Sequence, residues 1–151
     1  MLLKVKVSKT KSNSQIPVWG SANAAGADLY ACLSEEQMPV VQINPGETVM
    51  ISVGIKTEFS PGYGAFIHAR SGLAAKRGLA PVNKVGIVDA DYRGEWFVAL
   101  HNYSNETQFV EDGERIAQVV FKEVQHPEFV EEDDLSETER GEGGFGSTGT
   151  K

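Results

Sequence analysis

The chain has 151 residues with a formal net charge of −7, 40% hydrophobic and 23% charged residues. These values describe one globular domain with a real core and a possible tail. They exclude a disulfide framework, because Cys32 is the lone cysteine, and they exclude a membrane-spanning helix, because no apolar run approaches ~18 residues.

The amino terminus, Met1 to Val7, alternates apolar residues with lysines. It reads as a strand and not as a signal peptide, so the expected location is cytoplasmic. Further β-rich runs follow at Asp28–Leu33, Val40–Ile43, Val49–Lys56, Tyr63–Ala69, Val82–Val88, Trp96–Leu100 and Arg115–Val124. Asn44-Pro45-Gly46-Glu47 and Ser60-Pro61-Gly62-Tyr63 place Pro then Gly at the turn centre, the signature of a type II turn. Ser71–Gly78 reads as a short helix, with Ser71 placed to cap it and Gly78 to end it. Many short strands without strand–helix alternation predict an all-β sandwich or barrel.

Beyond residue 127 the composition changes. From Glu128 onward eight acids face Arg140 and Lys151, a net −6 that leaves only −1 for residues 1–127. The sequence therefore divides into a β-barrel unit, 1–127, and an acidic connector with a glycine-rich arm, 128–151. No broad basic surface is available for nucleic acid. A small anionic ligand needs only a few focal cations.

Five short segments carry candidate chemistry. Ala25-Gly26-Ala27-Asp28-Leu29-Tyr30 starts a strand with one acid, which alone is more naturally structural. Arg70-Ser71-Gly72-Leu73-Ala74 opens the helix and suits a phosphate, with simple capping by Ser71 an equal alternative. Gly86 to Glu95 carries Asp89, Asp91, Tyr92 and Arg93 shortly after Asn83. Two carboxylates at this spacing can serve as a base or meet a metal, and a hairpin turn is the plainer reading. Gly113 to Gln118 sets a polar amide, Gln118, among residues of core type.

The fifth segment is Arg140 to Thr148. It matches G-x-G-x-x-G letter for letter but lacks the flanking strand and helix of a dinucleotide site. It also approaches a P-loop, with Ser147 standing where the lysine belongs. What survives is physical: glycine N–H groups, two hydroxyls and the Arg140 fork can meet phosphate, and Phe145 can stack on a base.

Taken together and in order, AGADLYA (25–31), RSGLA (70–74), GIVDADYRG (86–94), GERIAQ (113–118) and RGEGGFGSTG (140–149) resemble the motifs of the trimeric dUTP diphosphatase family. The resemblance implies a jelly-roll-like β-barrel with one short helix and a flexible C-terminal arm. It implies a homotrimer with shared sites and Mg²⁺-assisted cleavage of dUTP to dUMP and diphosphate, an activity that limits uracil in DNA. It assigns Asp89 as the base that activates water and Gln118 to the water or phosphates. Asp28 would hold the Mg²⁺–triphosphate through water. Arg70, Ser71 and Gly72 would contact phosphates, Asn83 would read uracil, and Tyr92 would pack under the deoxyribose and exclude a 2′-hydroxyl. From the arm, Arg140, Gly146, Ser147 and Thr148 would bind phosphate while Phe145 stacks on uracil. A dCTP deaminase of similar fold and a non-catalytic nucleotide-binding module are the competing readings. RSGLA and the Phe145 arm disfavour the first, and Asp89 disfavours the second.

Overall fold

The computed structural model describes residues 2–33 and 39–144. Among the described residues, twelve strands and one helix follow in chain order. They are β1 (Lys6–Lys9), β2 (Val18–Trp19), β3 (Ala27–Tyr30), β4 (Val40–Ile43), β5 (Thr48–Ser52), β6 (Ile55–Glu58), β7 (Tyr63–His68), α1 (Ser71–Arg77), β8 (Leu79–Pro81), β9 (Val85–Val88), β10 (Phe97–Asn102), β11 (Gln108–Glu111) and β12 (Arg115–Glu123). The main sheet has the order β2-β3-β12-β7-β9, and smaller sheets pair β5-β10-β8, β11-β4 and β1-β6. The pairings are antiparallel, and the architecture is a jelly-roll-like barrel.

Alternation explains how the sheets close on one core. In β10, Val98, Leu100 and Asn102 are buried while Phe97 faces out. Leu29, Ile43, Ile51, Ile55, Leu79, Val110, Ile116 and Val119 bring the other strands into the same cluster. Full burial of each such side chain contributes about 1.5–3 kcal/mol against exposure. Asn102 is the polar exception, and it is satisfied. Its Nδ2 donates to the Ile43 carbonyl at 2.9 Å and the Glu106 carbonyl at 2.8 Å, and its Oδ1 accepts from Ser104.

The predicted turns form with Gly46 at φ 76° and Gly62 at φ 86°. Both values lie in the left-handed region that type II turns require and that glycine enters without penalty. The predicted single strand across Val49–Lys56 is instead two strands in different sheets. The break falls at Gly54, with φ 72°, where a Cβ would sit 2.4 Å from Ser14 Oγ and 2.5 Å from Cys32 Sγ. Alternation continues through the break, so periodicity alone could not reveal it.

The helix forms where expected, but its cap differs. Arg70 holds the N-cap position with extended backbone, and Ser71 is already helical and makes no side-chain cap. Gly78 ends the helix in the left-handed conformation, its N–H donating to the Ala74 carbonyl at 3.0 Å. Arg77 then fastens the helix to the segment before β12. It pairs with Glu114 and donates to Gln108 Oε1 at 3.0 Å.

Candidate active site

The long strand β12 organises the first cluster. Gln118 stands opposite Asp28 of β3 on one side and His68 of β7 on the other. Cross-strand partners share a face, so Asp28 and Gln118 project together. Gly26 lies two residues before Asp28, also on that face. A Cβ there would come within 2.8 Å of Gln118 Oε1, so a side chain at this position would push the amide from its place. Gln118 Nε2 donates to the Ala69 carbonyl at 2.9 Å, which ties β12 to the residue before Arg70.

Arg70 donates its Nε to Asp28 Oδ1 at 2.7 Å, and Arg115 approaches Asp28 Oδ2 at 3.3 Å. Asp28 is buried, while the two guanidiniums reach toward solvent. Two cations thus share one anion, and the corner keeps a positive excess suited to phosphate oxygens. Arg115 is the site residue that sequence reasoning missed. The signal was present, an arginine three residues before Gln118, but its partner is 87 positions away. Beside this corner, Ser71 and Gly72 are exposed in the first turn of α1. First-turn N–H groups have no intrahelical acceptor, so they are free for an anion.

The remaining predicted residues lie elsewhere. Val88 at the end of β9 faces Ala65, whereas Gln118 faces His68. Three strand positions, about 10 Å, and two strand spacings, also about 10 Å, therefore separate the start of the Asp89 loop from Gln118. Asp89 and Tyr92 line a separate depression of ≈ 280 Å³ with Glu95 and the apolar side chains of Met50, Ile87 and Phe97. Asp89 is exposed, and among the described residues no hydrogen bond engages its carboxylate. Its carbonyl accepts the Tyr92 N–H at 3.2 Å, closing the turn. Asn83 precedes β9 in a turn whose next residue, Lys84, has φ 64°. Lys84 is held there by a 2.8 Å bond from its Nζ to the Tyr103 hydroxyl.

Glu95 is the firmest carboxylate in this depression. Burial pushes its pKa up, but hydrogen bonds from the Ser52 and Thr10 hydroxyls, with Lys11 and Lys56 nearby, hold it below the ordinary value. Arg140 sits on the arm and donates to the Gly143 carbonyl at 2.8 Å, within its own turn. Phe145, Gly146, Ser147 and Thr148 lie outside the described residues.

Among the described residues there is no cluster of three or more His, Cys, Asp or Glu side chains placed to hold a metal. A hard cation that keeps several waters and is carried mainly by phosphate oxygens needs only one or two carboxylates from a protein. Asp28 fits such a role, because a carboxylate has about four acceptor positions and the two arginines leave some free for water.

These features define the class: a jelly-roll-like barrel protein with a cationic corner and a second, acid-bearing depression. The family model described as dUTPase matches residues 12–149. A deoxyuridine 5'-triphosphate nucleotidohydrolase of Desulfitobacterium hafniense (strain DSM 10664 / DCB-2) is 47% identical over 150 residues, spanning 97% of each chain. The enzyme of the same name from Hydrogenobaculum sp. (strain Y04AAS1) is 44% identical over 149 residues, 99% of this chain and 100% of its own. Among solved structures, the Staphylococcus bacteriophage 80alpha dUTPase with dUPNHPP has a TM-score of 0.85 at 25% identity, covering 97% of this chain and 98% of that one. The chain belongs to the dUTPase family.

Proposed function

We infer that the protein hydrolyses dUTP to dUMP and diphosphate, limiting uracil in DNA and supplying dUMP for thymidylate synthesis. The observation that carries this reading is the joint placement of Arg70, Arg115, Asp28 and Gln118 at one corner of the barrel, in a chain of this family. The triphosphate lies against Arg70, Arg115 and the free N–H groups of Ser71 and Gly72. Gln118 holds a water or a phosphate oxygen. Asn83 reads uracil, and Tyr92 packs under the deoxyribose. Asp89 takes the proton of the attacking water, whose oxygen bonds to the α-phosphorus as the bond from that phosphorus to the α,β-bridging oxygen breaks and diphosphate leaves with the electron pair. Asp28 would hold a Mg²⁺ ion through water, and the ion would supply neutralisation of the phosphate charge. Arg140, Gly146, Ser147 and Thr148 close over the phosphates and Phe145 stacks on the base.

In one subunit Asp89 and Gln118 stand too far apart to act on the same phosphate. A homotrimer with sites shared between subunits answers that separation. The exposed apolar side chains around Asp89 support it: Met50 is 62%, Ile87 65% and Phe97 44% exposed. We assign 1–127 to the catalytic barrel and 128–151 to the arm. The last strand ends at Glu123, and the hydrogen bonds described for residues 125–144 are local. No helix among the described residues is long and apolar enough to cross a membrane. A cytoplasmic setting suits the free thiol of Cys32.

Incubation with dUTP, dCTP and UTP and measurement of diphosphate and ammonia tests the reading. Diphosphate from dUTP is expected. Ammonia from dCTP, or no diphosphate from dUTP, refutes it. The role of Gln118 has its own check in Gly26→Ala, whose new Cβ pushes the amide aside. Turnover of dUTP should fall about tenfold, because a misplaced polar group loses its aim. The melting temperature should change little, since the displaced group is the end of a half-buried side chain.

A further inference from the structure

The Asp89–Tyr92 turn rests on a residue to which none of the five motif segments assigns a role. Tyr92 folds back over Gly94, so closely that a Cβ on Gly94 would sit 2.2 Å from the Tyr92 hydroxyl oxygen. This lets the hydroxyl donate to the Glu95 carbonyl at 3.2 Å. The Glu95 side chain is itself clamped. Its Oε1 accepts from Ser52 Oγ at 2.5 Å and Thr10 Oγ1 at 2.9 Å, with Lys11 Nζ at 3.9 Å. Ser52 Oγ also accepts the Gly54 N–H at 3.0 Å, so the clamp is fixed to the break between β5 and β6. Thr10 and Lys11 belong to the segment after β1. Three parts of the barrel therefore meet at one carboxylate, and its backbone carbonyl carries the Tyr92 ring.

We propose that Glu95 is a positioning residue for sugar recognition, holding the Tyr92 ring in the place from which it admits deoxyribose and rejects ribose. This rests on the assignment of Tyr92 to the deoxyribose given above. The physical reason is steric. Exclusion of one hydroxyl depends on a ring fixed to within a fraction of an ångström, and Tyr92 is 47% exposed, with little packing of its own to fix it. The hydrogen bond to Glu95 supplies the fixation, and the hydroxyl clamp keeps the acceptor still.

The test is kcat/KM for dUTP and for UTP, with thermal melts, in wild type, Glu95→Ala, Glu95→Gln and Ser52→Ala. In Glu95→Ala the dUTP/UTP ratio should fall about tenfold, mostly by gain on UTP, since a freed ring admits the extra hydroxyl. Glu95→Gln keeps an oxygen for both hydroxyls and should stay within about threefold of wild type, the cost of a weak ion contact. Ser52→Ala removes one donor without touching Glu95 and should fall between them, which keeps the test decisive if Glu95→Ala does not fold. A purely structural role would lower the melting temperature and leave the ratio unmoved. Unchanged ratios in Glu95→Ala and Ser52→Ala, with wild type active on dUTP, overturn the proposal alone. Wild-type protein that releases no diphosphate from dUTP overturns the functional reading, and this proposal with it.

Discussion

Replacement of Asp89 by alanine is expected to lower dUTP turnover by about 10²–10⁴-fold, the usual worth of a positioned general base. Binding of dUTP should persist. The affinity is expected from the other corner of the barrel, where Arg70 and Arg115 flank Asp28 and first-turn N–H groups lie open. Folding should persist too, because Asp89 is exposed and no described hydrogen bond uses its carboxylate. Asp89→Asn sharpens the experiment, since it keeps the shape and removes the proton acceptor. Diphosphate release and calorimetric titration with dUTP separate the two effects. Turnover equal to wild type in either variant would remove Asp89 from the mechanism. Loss of binding along with turnover would make it a binding residue instead.

Removal of residues 140–151 should leave the barrel folded and reduce kcat/KM for dUTP by about 10²-fold or more, comparable to loss of preorganised donors at a developing charge. Among the described residues the last strand ends at Glu123, and Arg140 bonds within its own turn. What the truncation removes is the Arg140 fork, the hydroxyls of Ser147 and Thr148, the glycine N–H groups and the Phe145 ring. On the proposed reading it also removes the cover over the phosphates, and with it the exclusion of water that strengthens the remaining electrostatic contacts. Circular dichroism and the melting temperature should match the full chain. Full activity in the truncated protein would show that the arm takes no part. A point variant, Phe145→Ala, should lose less than the whole deletion, because the phosphate donors remain.

The sites proposed here were unequally legible from residues alone. The five segments were visible as segments because each concentrates glycine, charge and hydroxyl groups within a few positions. Their grouping was not. Asp28 looked like a single weak acid at the start of a strand; the structure shows it as the shared partner of two arginines, one from the β7–α1 junction and one from β12. Gly26 has no role legible in the sequence, and a Cβ there would crowd the amide of Gln118. Glu95 ends its cluster without a role of its own, since a glutamate after Arg93-Gly94 is unremarkable until Ser52 and Thr10 are found against it.

By itself the sequence determined whatever depends on neighbours a few residues apart. Alternation specified most strands, Pro-Gly pairs specified two turns through the positive φ that only glycine enters freely, and Ala-Ala-Lys with a following glycine specified α1 and its end. The order of its five segments also placed the chain in its family. Tertiary structure alone decided the rest. It broke the Val49–Lys56 run at Gly54, because Ser14 and Cys32 occupy the space a side chain would need. It moved the helix cap from Ser71 to Arg70, whose side chain is drawn to Asp28. It put Asp89 and Gln118 at different places on one sheet, because strand register is set by pairing between distant segments. A sequence records such partners only as letters far apart, and their distance in space is fixed when β12 settles between β3 and β7.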